Sequence, residues 1–97
     1  MTNSAMYGLV VFFDLQPGSE DRFDVLASTI QAAAHDEPGT HVYEIHRVDG
    51  HPRQRCFYER YADEAAFRQH EQSPALKGFL ADCAPMLTQP PRITVLR

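Results

Sequence analysis

The sequence predicts an α+β domain of the split βαβ type: a βαββαβ chain folding into a four-stranded antiparallel sheet with helices on one face. Three observations predict it. The apolar period switches from two residues to a helical spacing and back, twice along the chain. A hairpin signal, Asp49-Gly50, stands between the two halves. The stretch Arg55–Pro74, RCFYERYADEAAFRQHEQSP, runs from strand residues straight into a helix start.

The first strand reads as Tyr7–Leu15, behind a small polar segment, Met1–Ala5, that is expected to fray. Leu9, Val11 and Phe13 make one apolar face and Val10 and Phe12 the other, so both faces need cover. Gln16-Pro17-Gly18 turns the chain. Ser19 then caps a helix whose first turn carries Glu20 and Asp21, carboxylates that suit the helix dipole. Phe23, Leu26, Ala27, Ile30, Ala33 and Ala34 give it one apolar stripe. Glu37-Pro38-Gly39 ends it, because the residue before proline is pushed out of the α region.

Thr40–Val48 is the second strand, and a third, about Arg55–Tyr61, pairs back on it across Asp49-Gly50. Asp63 is a natural cap for the next helix. Ser73-Pro74 stops that helix and starts another, since serine at the cap and proline at the first position form a helix start. Leu76, Phe79, Leu80, Cys83 and Leu87 form its apolar face, and Pro85 ends or kinks it. Pro90-Pro91 forbids helix, and Ile93–Leu96 supplies the last strand. Helices on one face leave the other bare and too apolar for water. The expectation is a homodimer, sheet against sheet.

Ninety-seven residues make a single domain, 1–97, with its core at about 7–96 and no room for a separate cofactor-binding domain. A net charge of -4, with no basic stripe, argues against a nucleic-acid partner. The apolar run Leu9–Phe13 is too short to span a membrane and no targeting signal precedes it, so a soluble cytoplasmic protein is expected. Cys56 and Cys83 lack a CxxC arrangement and read as reduced thiols. The glycines form neither GxGxxG nor a P-loop. His41, His46 and His51 are spaced by five, which sends neighbours to opposite faces, so no metal site is expected.

His70 is the candidate catalytic residue. It shares a helix face with Phe67, and an imidazole ordinarily titrates near neutrality, which suits proton transfer. The bland alternative is a core histidine bonded to a carbonyl. Tyr43, Tyr58, Tyr61 and Phe67 are the candidate substrate-binding residues; a buried phenol needs a partner, which a polar aromatic ligand can supply. Strand alternation separates Glu59 and Tyr61 from Tyr58 and Arg60, so they cannot all face one cavity.

Two runs carry a family resemblance: PGSEDRFDVLASTIQAAAHDEPGTHVYEIHR and FYERYADEAAFRQHEQSPALKGF. Together they resemble the antibiotic biosynthesis monooxygenase domain, which is similar to small quinol monooxygenases and belongs with the dimeric α/β barrels. The likeness covers about Tyr7–Leu96. It implies a ferredoxin-like protomer and a homodimer whose two sheets form a barrel. It also implies oxidation of a quinol or polyketide-like aromatic by O2, with no metal, flavin or haem cofactor, and with His70 in the pocket. Haem-degrading relatives use an Asn, a Trp and a ligating His at positions that fall near Val11, His70 and Leu80. All three differ, and the chain has no Trp, which disfavours haem degradation. Two alternatives remain open: an isomerase in which His70 or Glu59 moves a proton, and a non-enzymatic ligand-binding barrel.

Overall fold

The computed structural model describes residues 6–97; the frayed terminus expected at Met1–Ala5 lies outside them. The elements are β1 (Tyr7–Asp14), α1 (Glu20–His35), β2 (Thr40–Val48), β3 (His51–Tyr61), α2 (Glu64–Glu71), α3 (Pro74–Cys83), a 3-10 turn (Ala84–Met86) and β4 (Arg92–Leu96). The sheet order is β2-β3-β1-β4, and every neighbouring pair is antiparallel. Each helical crossover therefore joins parallel strands that are separated by a third. This is the ferredoxin-like split βαβ arrangement.

Local chemistry explains most boundaries. The Asp63 side chain accepts from Ala66 N at 2.8 Å and the Ser73 hydroxyl from Leu76 N at 3.1 Å, so both caps form as their residue types predict. Ser19 differs. It occupies the cap position of α1 with helical backbone angles and makes no side-chain cap bond. β3 also begins four residues earlier than Arg55. His51-Pro52 supports the Asp49-Gly50 turn signal, yet both residues lie in β3, with Pro52 beyond Gln54, where the register with β1 ends.

The core lies between the helices and one sheet face. Phe13, Phe23, Phe57 and Phe79 cluster there, with the Phe13 and Phe57 ring centroids 4.6 Å apart. Each buried phenyl contributes roughly 1.5–3 kcal/mol through removal from water. At the edge of this layer the Arg55 guanidinium is only 2% exposed. It donates to Asp24 at 2.8 and 3.1 Å and to the carbonyls of Pro52 and Gln54 at 3.0 Å each, which satisfies an otherwise costly buried charge. Val10, Phe12, Cys56 and Tyr58 form the opposite face: Val10 registers with Tyr58, and Phe12 with Cys56. Among the described residues, no helix packs on that side.

Candidate functional site

A cavity of about 620 Å³ lies between the helix-facing side of the sheet, α2, α3 and the segment Leu87–Pro91. Its floor follows from strand register. Tyr43 of β2 pairs with Glu59 of β3, and Glu59 pairs with Leu9 of β1. The next row holds Phe57, Val11 and Ile93, of which Val11 and Ile93 line the space. The walls are Phe67 and His70 from α2 and Phe79, Leu80 and Cys83 from α3. Most of this lining is aliphatic or aromatic. The polar exceptions are Tyr43, Glu59 and His70 within, and Glu71, Thr88 and Gln89 toward the rim.

His70 is 2% exposed and is held from both sides. Its ring lies 5.5 Å from that of Tyr43 and 5.4 Å from that of Tyr61. Its Nδ1 stands 2.8 Å from Glu37 Oε1, and the same oxygen accepts from the Thr40 hydroxyl at 2.9 Å. An ionised carboxylate only accepts, so Nδ1 carries the hydrogen. In that tautomer the lone pair sits on Nε2, which has no partner among the described residues. A carboxylate behind a histidine in this way fixes both tautomer and ring orientation.

Gly39 makes the pairing possible. A Cβ built on it would stand 2.5 Å from the Ala66 Cβ, so α2 rests directly against the backbone of the turn before β2. The Gly39 carbonyl accepts from Ala62 N at 2.9 Å, which ties the same turn to the end of β3. This contact sets α2, and with it His70, beside Glu37.

Glu59 is the second titratable group of the cavity, 4% exposed in the middle of the sheet. The Tyr61 hydroxyl donates to its Oε1 at 2.6 Å. Burial pushes the Glu59 carboxyl up to about 7, with the Glu37 charge adding to the rise and the Tyr61 bond opposing it. Burial also drives the Tyr43 and Tyr61 phenols above their ordinary range, so both keep their protons at neutral pH. Cys83 rises to about 11 for the same reason, which leaves an unreactive thiol.

The residues singled out in the sequence are thus divided. Tyr43, Phe67 and His70 meet on the cavity. Tyr61 stands behind Glu59, fully buried, and Tyr58 lies on the opposite sheet face. Glu37 was legible only as a helix terminator, and Glu59 only as one half of an alternating pair. Val11 and Leu80 are aliphatic walls of the cavity. Among the described residues no group of three or more His, Cys, Asp or Glu could hold a metal ion, and no helix is long and apolar enough to cross a membrane.

Fold and cavity together define a small ferredoxin-like domain with an apolar, acid-base-equipped pocket between sheet and helices. The chain belongs to the antibiotic biosynthesis monooxygenase family, whose profile matches residues 6–82. Solved structures share the fold over nearly the full length. Rv0793 of Mycobacterium tuberculosis is 22% identical, with 96% of this chain and 94% of that one covered at a TM-score of 0.91. A conserved protein of Methanosarcina mazei is 19% identical, with 98% and 94% covered at 0.93. A candidate antibiotic biosynthesis monooxygenase of Caulobacter crescentus is 26% identical, with 96% and 89% covered at 0.91. No functionally curated protein matches the chain.

Proposed function

We propose that the protein is a monooxygenase that oxidises a quinol or polyketide-like hydroxyaromatic with O2 inside this cavity, with no further cofactor. One observation carries the reading. His70, oriented by Glu37, presents an unpartnered Nε2 in an otherwise apolar space of about 620 Å³. Nε2 accepts the proton of a substrate hydroxyl, and the resulting anion is electron-rich enough to react with O2 directly. The Tyr43 hydroxyl, which retains its proton, donates to the substrate oxygen as charge develops there. The aromatic walls exclude water, which strengthens both interactions. For a hydroquinone the balance is substrate plus O2 giving hydroxyquinone plus water.

The bare sheet face supports a homodimer closed sheet against sheet. Val10, Phe12 and Tyr58 would form its centre. Sedimentation at micromolar concentration should show a species of twice 11.0 kDa, and an 11.0 kDa species alone would refute it.

Oxygen uptake with a panel of hydroquinones and anthrones tests the enzymatic reading. Turnover above background that collapses in His70→Ala is expected; no uptake with any of them refutes it. A second reading is favoured by Glu59, which gives the cavity a second proton carrier: isomerisation of a small keto or lactone metabolite. Activity that survives without oxygen would select that reading.

A further inference from the structure

We propose that Glu59 is a second catalytic residue of this cavity, the acid that protonates the oxygen leaving as water when a substrate hydroperoxide collapses. The proposal rests on the monooxygenase reading above. In that reading His70 removes the first proton, and Glu59 has no task. Its placement is nonetheless unusual, because a carboxyl stands in the central row of the sheet between Tyr43 and Leu9.

The surroundings settle where its proton goes. The Tyr61 hydroxyl occupies Oε1 at 2.6 Å, and Tyr61 is fully buried and holds its own proton. A hydrogen on the carboxyl therefore belongs on Oε2, which has no partner among the described residues. Around Glu59 the titratable groups are Tyr43 on β2, Tyr61 on β3, His70 and Glu71 on α2, and Cys83 on α3, with Glu37 behind His70. None of the described residues lining the cavity is Lys or Arg. Nothing cationic compensates a Glu59 carboxylate, and the Glu37 charge opposes it, so the acid form persists to near-neutral pH.

The step balances without another reactant. The ring anion and O2 form a C–O bond, and the proton taken by His70 completes a hydroperoxide on a ring carbon that still bears hydrogen. Glu59 gives its Oε2 proton to the distal oxygen, and the O–O bond breaks with its electron pair leaving as water. The C–H electron pair forms the new carbonyl, and that hydrogen returns to the Glu59 carboxylate as a proton. Glu59 ends as it began.

Glu59→Gln keeps the shape and still accepts from Tyr61, but it has no acid proton. With whichever quinol the wild type oxidises, kcat should fall by about 100-fold or more while KM changes little. Infrared difference spectra should show a protonated-carboxyl band near neutral pH that is absent from E59Q and shifts when unreactive resorcinol binds. Tyr61→Phe provides a second test. It removes the bond that lowers the Glu59 pKa, so the band and the alkaline limb of kcat should both move to higher pH. Undiminished kcat in E59Q beside an inactive His70→Ala would overturn the acid role and leave the monooxygenase reading standing. A missing band, or one that ignores resorcinol, would overturn it as well. Absence of any oxygen-dependent turnover by the wild type would instead refute the reading on which the role depends.

Discussion

His70 Nδ1 lies 2.8 Å from Glu37 Oε1, a contact between residues 33 positions apart that fixes the orientation of a helix-end imidazole. Loss of the base should cost more than loss of its support. His70→Ala should lower kcat/KM by roughly 100- to 10,000-fold, the range of general-base contributions. Glu37→Gln retains a carbonyl acceptor without the charge and should lower it by about 10- to 100-fold. Steady-state oxygen-electrode kinetics on the two variants gives the ranking, and equal losses would contradict it.

Gly39→Ala should disturb the site from a distance. The added methyl would stand 2.5 Å from the Ala66 Cβ, so either α2 or the turn must move. A cost of about 1–3 kcal/mol is expected from the overpacking, with loss of turnover as His70 shifts from Glu37. Combining it with Ala66→Gly should restore much of both. Urea unfolding of the single and double variants measures the coupling.

Glu59 makes stability fall as pH rises. Its folded-state pKa, about 7, lies above the ordinary 4.5, so the folded protein binds this proton more tightly than the unfolded chain. The contribution is fully present below about 4.5 and is lost as pH rises toward 7. The loss amounts to about 3 kcal/mol for a shift of this size. E59Q should flatten that part of the stability profile and be the more stable protein at pH 8. Chemical denaturation across pH 4 to 8 tests the sign; a parallel profile for the variant would contradict it.

Asp24→Ala should destabilise the fold by about 3 kcal/mol, because it strands the buried Arg55 guanidinium. The Asp24 contact with Arg47 is at the surface and adds little, so Arg47→Ala should be nearly neutral. Thermal unfolding of the pair separates the two arginines.

Tyr58→Asp places a charge on the bare sheet face and should abolish the proposed sheet-to-sheet dimer. Analytical ultracentrifugation reads this directly. An unchanged mass would mean that the face is not the interface.

Much of this protein is legible along the chain. The Asp63 and Ser73 caps, the Asp49-Gly50 hairpin and the apolar stripe of α1 depend on residues a few positions apart, and each appears where its chemistry places it. The early start of β3 falls on His51-Pro52, which read locally as part of the turn, and its place beyond the β1 pairing is not given by any local rule. His70 was found because helical spacing tied it to Phe67. A phenol's need for a partner groups Tyr58 with the pocket tyrosines, whereas strand alternation puts it on the opposite sheet face from Tyr61.

The sequence by itself determined the order of strands and helices, the two-faced character of the sheet and the presence of a histidine on the second helix. Those properties follow from periodicity and capping, which are local. Only the tertiary structure decided that Glu59 and not Arg60 faces the cavity, and that Glu37 stands behind His70. The first is a choice of face made jointly by four paired strands. The second needs α2 seated on Gly39, a contact no spacing rule encodes.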